Sequence, residues 1–126
     1  MAELSAKSLE LLSNWELVYK KGLLTFWILL LLHERASYPY EMNSEIASLS
    51  NGTLSADGNS IYRALRRFES LEIVQSEMRA SETGPARRYY TLTTEGKALL
   101  AQFIERNICV FYDPAIKSRV EAVSAG

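Results

Sequence analysis

The segment Asn59–Thr93, NSIYRALRRFESLEIVQSEMRASETGPARRYYTLT, constrains the fold more than any other part of this chain. Its first half has apolar residues at helical spacing: Ile61, Leu65, Phe68 and Leu71. Asn59, Tyr62, Arg63, Arg66 and Arg67 fall on the other faces of the same helix. The second half alternates, which predicts a strand over Ile73–Ala80 with Ile73 inward. A turn over Ser81–Ala86, marked by Gly84-Pro85, leads to a second strand over Arg87–Thr93. Tyr89 or Tyr90, together with Leu92, points inward there. An arginine-bearing helix followed by an arginine-bearing hairpin is the pair of parts with which a winged helix-turn-helix holds duplex DNA.

Charge supports this reading locally and not globally. Six arginines stand against four glutamates between residues 58 and 91, a local +2, in a chain whose net charge is −1. A net-acidic chain is no charge-only nucleic-acid binder, but a specific one depends on the local field. Charge on a helix surface is usually a solvated face. Arg87 and Arg88, placed directly after the turn, make DNA contact the better reading. In the major groove arginine pairs with guanine and asparagine with adenine, which gives base reading to Arg63 and Asn59. Arg66, Arg67 and the wing arginines are assigned to the backbone, or to the minor groove for the wing. Ser60, at the helix start, joins the candidate set. Alternation along a strand places Arg87 and Arg88 on opposite faces, with one of the two turned inward.

Upstream of this segment, Ser5–Tyr19 is expected as one helix, with Leu9, Leu12, Trp15, Val18 and Tyr19 at helical spacing. Lys20–Arg35 is expected as a second, apolar almost all round and broken by Ser37–Pro39. Its longest apolar run, Leu23–Leu32, is well short of the ~20 residues of a membrane span. Pro39 opens the next helix, with Tyr40, Met42, Ile46 and Leu49 inward. Asp57 or Ser55 caps the arginine helix. After the hairpin, Thr93 or Thr94 caps a final helix to about Tyr112, which Pro114 stops, leaving a polar, frayed tail. The predicted fold is mainly α with a small β-hairpin: a winged helix-turn-helix over residues 20–93, an N-terminal helix over 1–19, and a dimerisation helix and tail over 94–126.

The last helix has the stripe Leu99, Leu100, Phe103, Ile104, Ile108 and Phe111, wider than one small domain can cover. With Leu9, Leu12 and Trp15 of the first helix it forms the expected dimer interface. Two-fold dimers read two half-sites, so the expected partner is double-stranded DNA carrying a pseudo-palindromic operator. Trp15, Trp27, Phe26 and Phe103 are read as core aromatics; a small apolar effector bound among them at the interface is the alternative. The single cysteine, Cys109, allows no internal disulfide, and the N-terminus lacks a basic segment ahead of a long apolar core. A cytoplasmic protein with no membrane partner is expected. One histidine and one cysteine assemble neither a metal site nor a catalytic triad, so no enzyme activity and no cofactor are expected.

Four local motifs resemble the PadR family of transcriptional regulators, over roughly residues 20–105. Lys21-Gly22-Leu23-Leu24 with Ile28–Leu32 is similar to the family's first core helix. Tyr38-Pro39-Tyr40-Glu41-Met42 is similar to its Tyr-Gly-Tyr-Glu segment, with Pro39 in place of the glycine. Ile61–Glu69 resembles its recognition helix, with Tyr62 matching the family tyrosine at the helix start, to which the resemblance gives a phosphate contact, although Glu72 stands where the family usually has glycine after it. Gly84–Gly96 resembles its wing and second strand, and is the most specific of the four. The resemblance implies a homodimeric repressor. It also admits a ligand-responsive sensor, or the clock-modifying cyanobacterial branch of the family. A winged helix used only for protein–protein contact is the reading from a different class.

Overall fold

Ser5 starts the first helix, its hydroxyl accepting the Ser8 N–H at 3.2 Å. Nothing stops that helix until Glu34: the computed structural model, which describes residues 3–54 and 56–125, has one helix, α1 (Ala6–Glu34), where two were expected. Between Tyr19 and Leu23 there is no proline, Gly22 is tolerated, and Glu16 and Lys20 pair across one turn at 3.6 Å. The C-terminal part of α1 buries Ile28, Leu29, Leu31 and Leu32, nearly all round, as a central helix does. The part before it is largely exposed. No helix among the described residues is long and apolar enough to cross a membrane.

Pro39 occupies the first turn of α2 (Pro39–Leu49), where its missing N–H costs nothing. Met42 and Ile46 are buried, whereas Tyr40, expected inward, is 88% exposed. Two residues apart is about 200° around a helix, so Tyr40 and Met42 cannot share a face. Leu49, also expected inward, stays largely exposed. Asn51 and Gly52 take positive φ and close α2, with the Gly52 N–H reaching the Ala47 carbonyl at 2.7 Å. The connector is pinned by Asn43, whose Oδ1 accepts the Ala56 N–H at 3.2 Å. Asp57 then caps α3 (Gly58–Ser70); Ser55, its rival for that role, lies outside the described residues.

α3 buries Ile61 and Leu65, one turn apart, and half-buries Phe68. Leu71, expected in the core, is the exposed C-cap. Glu72 follows at φ 61°. The Ile73 N–H bonds Phe68 O at 2.8 Å and the Glu72 N–H bonds Glu69 O at 3.0 Å, the paired closure for which glycine is the usual residue.

The hairpin of β1 (Val74–Ser81) and β2 (Gly84–Leu92) is antiparallel, pairing Val74 with Leu92, Ser76 with Tyr90, Met78 with Arg88 and Arg79 with Arg87. The turn is tighter than expected, and Pro85 lies inside β2. The register shifts beside it, where a residue without an N–H does least damage. Of Tyr89 and Tyr90, the latter points inward and is fully buried. Ser37 joins β2 as a third, one-residue strand, exchanging hydrogen bonds with Tyr90 at 3.1 and 2.8 Å.

Thr93 caps α4 (Thr94–Asn107), accepting the Gly96 N–H at 3.0 Å. α4 ends five residues before the expected point. A 3-10 turn over Cys109–Tyr112 follows, and Pro114 opens α5 (Pro114–Ser124) rather than ending a helix. Asp113 is the cap, accepting the Ala115 N–H at 2.9 Å, and Asp-Pro at these two positions is a start signal. The expected frayed tail is therefore helical.

Candidate nucleic-acid interface

The exposed arc of α3 is set by what the opposite arc buries. At 100° per residue, Asn59, Tyr62, Arg63 and Arg66 lie within about 100° of one another, facing away from Ile61 and Leu65, and Arg67 extends the arc. All five are exposed. The Arg66 guanidinium sits over the Tyr62 ring, 5.7 Å from its centroid. Ser60, a predicted contact, is committed elsewhere. Its N–H bonds Asp57 Oδ1 at 2.8 Å and its hydroxyl donates to Asp57 Oδ2 at 3.2 Å. The Ser60 N–H holds the Asp57 carboxyl below the usual aspartate range, with nearby Arg63 acting in the same direction.

Arg87 and Arg88 divide between the two faces of the hairpin, and neither enters the core. Arg88 is on the α3 side: it donates to Ser76 Oγ at 3.0 Å, and Ser76 in turn donates to Glu69 of α3. This relay fixes the arginine against α3. Burial, and then the Glu69 carboxylate, push the Tyr90 hydroxyl above its ordinary pKa, and Tyr62, Arg88 and Arg66 also act on it. The exposed arc of α3 and the near face of the hairpin thus form one surface. Arg87 is on the far face, 4.5 Å over the Tyr38 ring and donating to the Tyr38 hydroxyl at 2.6 Å.

Two features of the far face escaped the sequence reading. Arg79 lies directly across the ladder from Arg87 and stacks 4.6 Å over Tyr89. Tyr38 meets Tyr89 edge-on at 5.2 Å. A two-residue turn at Glu82-Thr83 would by itself set Arg79 opposite Ala86; the irregularity between Arg79 and Ser81 shifts the register by one and brings it opposite Arg87, which alternation along the chain does not reveal.

The predicted dimer residues fall into two groups. Leu9, Leu12, Trp15 and Phe111 are exposed, Trp15 to 67%. Leu100 is 5% exposed because it completes the protomer's own core, so it has little surface left for a partner. Phe103 and Ile104 are half-buried, Phe103 with its ring 5.9 Å from that of Phe26. Ile108 is half-buried too. The four aromatics weighed as a ligand pocket do not converge: Phe26 stacks with Trp27 and Phe103, while Trp15 lies beside Leu12, Glu16 and Tyr19. Among the described residues no three His, Cys, Asp or Glu side chains are grouped as metal ligands.

Comparison with known proteins bears on the fold and the family. The model of the transcriptional regulator PadR-like family matches residues 28–102. A PadR family transcriptional regulator from Eggerthella lenta superposes with a TM-score of 0.70 at 26% identity, covering 90% of this chain and 96% of that one. A transcriptional regulator from Clostridium thermocellum gives 0.63 at 28% identity, over 73% and 89% of the two chains. Bacillus subtilis PadR in complex with operator DNA shares the fold, with a TM-score of 0.60 at 24% identity over 65% of this chain and 46% of that one. An uncharacterized protein from Lysinibacillus sphaericus is 29% identical over 85 residues, 68% of this chain and 78% of that protein.

Proposed function

The chain belongs to the PadR-like family of transcriptional regulators, and from that footing we propose that it is a homodimeric repressor that occupies a pseudo-palindromic operator. The observation that carries DNA binding is the single basic surface shared by α3 and the hairpin. Exposed Arg63, Arg66 and Arg67 on the helix adjoin Arg88, which is locked in place through Ser76 and Glu69. Asn59 and Arg63, at the N-terminal end of the exposed arc, read bases. Tyr62, Arg66, Arg67 and Arg88 hold the backbone. The Bacillus subtilis PadR of the same fold was crystallised in complex with operator DNA, which supports DNA binding here. Dimerisation is supported by the apolar side chains that one protomer leaves exposed on α1, and it suits two-fold recognition of half-sites.

The test is binding to the duplex just upstream of the chain's own gene and to unrelated DNA, across a salt series. Wild-type protein should prefer the former, with a steep salt slope. Arg63→Ala should cost about 1–3 kcal/mol on the preferred duplex and relax its preference. Arg88→Ala should weaken both duplexes alike and make the slope shallower by about one per protomer. Equal, weak, salt-insensitive binding by the wild type would leave a winged helix turned to protein partners.

A further inference from the structure

The far face of the hairpin carries an arrangement that the helix-side surface does not need. Arg79 and Arg87 are directly opposed across the strand pair, and like charges in that position repel. One carboxylate accompanies them: Glu77 accepts from Arg79 Nε at 2.8 Å, an exposed contact of the kind that contributes little. The terminal nitrogens of Arg79 carry no hydrogen bond among the described residues. Each guanidinium instead lies over a tyrosine ring, Arg79 on Tyr89 and Arg87 on Tyr38, to whose hydroxyl Arg87 also donates one N–H, and the two rings meet edge-on. Cation–π stacking fixes the direction of an arginine while leaving its N–H edge open. The result is a pair of aimed donors on the side of the hairpin away from Arg88.

A hairpin that enters a groove of duplex DNA has a phosphate backbone on each side, because the minor groove is only about 6 Å wide. Resting on the reading of the chain as a DNA-binding regulator, we propose that Arg79 is a second backbone contact. Tyr89 is its positioning residue, so that the hairpin grips both walls of the groove: Arg88 on one, Arg79 with Arg87 on the other. Arg79 adds affinity without sequence preference, since phosphates carry none.

The two duplexes and the salt series already described test this with wild-type protein, Arg88→Ala, Arg79→Ala, Arg79→Lys, Tyr89→Phe and Tyr89→Leu. Arg79→Ala should lose roughly tenfold on both duplexes, about one charge-assisted hydrogen bond, and flatten the slope by about one per protomer. Arg79→Lys should keep the slope. Tyr89→Phe, which retains the ring, should bind as wild type. Tyr89→Leu should weaken binding and add nothing further to Arg79→Ala, a non-additivity that simple loss of packing does not produce. If Arg88→Ala weakens binding while Arg79→Ala matches wild type in affinity and slope, the far face is not a DNA contact and the inference falls alone. If wild-type protein shows no salt-dependent binding, both the inference and the DNA-binding reading fall.

Discussion

Glu72 closes α3 at φ 61°, a conformation that costs a side-chain-bearing residue about 1–2 kcal/mol. Glycine takes it freely and gives back roughly 0.5–1 kcal/mol through its looser unfolded chain. Glu72→Gly should therefore raise stability by a few tenths to about 1 kcal/mol, seen as a higher melting midpoint, provided the closing bonds from Ile73 to Phe68 and Glu72 to Glu69 survive. A lowered midpoint would mean that the glutamate carries a contact outweighing its backbone strain. At the other end of the helix, the Asp57 carboxyl is held below its ordinary range by the Ser60 N–H. Its folded pKa is depressed, so its contribution is present above the unfolded value of about 3.9 and is lost as pH falls through the folded value. Asp57→Asn keeps a capping oxygen and removes the titration. Wild type should accordingly lose melting temperature relative to Asp57→Asn as pH drops below about 4, with the gap constant between pH 5 and 7. Parallel curves for the two proteins throughout would sink this account of the cap.

At the scale of elements, what the sequence revealed depended on how locally each signal is written. α3 was legible because Ile61 and Leu65 are placed by periodicity alone, whereas the strands were legible as strands but not in their inward face: Ile73, expected inward, is buried just ahead of β1, Val74 beside it is the buried strand residue, and alternation left Tyr89 and Tyr90 undecided. Asp57 was legible as a cap because its chemistry acts over three residues. The unity of α1 was not, since an amphipathic stretch and an all-apolar stretch look like two helices, and only the lack of a breaker between Tyr19 and Leu23 joins them. The C-terminal region misled for a related reason. Pro114 ends one helix and begins another with equal economy, and the residue before it, Asp113, decides which. In the site, the arginines of α3 were readable one by one. The role of Arg79 was not, because it depends on register, on Tyr89 and on a Tyr38 that is 41 residues away in sequence. Tyr40 shows the same limit: two tyrosines flank Pro39, and chain pattern does not say which one meets the hairpin.

At the scale of the whole molecule, the N-terminal two-thirds of α1 is apolar surface with no protomer core beneath it, Trp15 foremost. Exposed apolar area of this kind is what the proposed dimer would cover. Trp15→Glu should leave the protomer folded, because Trp15 packs on nothing that Leu29 or Leu65 needs, and should shift sedimentation from dimer to monomer at micromolar concentration. Phe103→Glu is the poorer probe, since Phe103 lies against Phe26 within the same protomer. A Trp15→Glu protein that still sediments as a dimer would move the interface to α4 and α5.

Of the 29 residues of α1, Leu24 to Glu34 form the end seated on the core, and the stretch before them is an arm about 27 Å long. Just past that end, Arg35 pairs with Glu45 of α2, and Ser37 is hydrogen-bonded to Tyr90 in the hairpin. A swing of about 5° where the arm leaves the core carries its tip through about 2 Å. Only Arg35 and Ala36 separate the seated end from Ser37 and its two bonds to the hairpin. Whatever seats itself on the free arm of α1 would therefore act through a helix whose end lies within two residues of the wing's own hydrogen bonds.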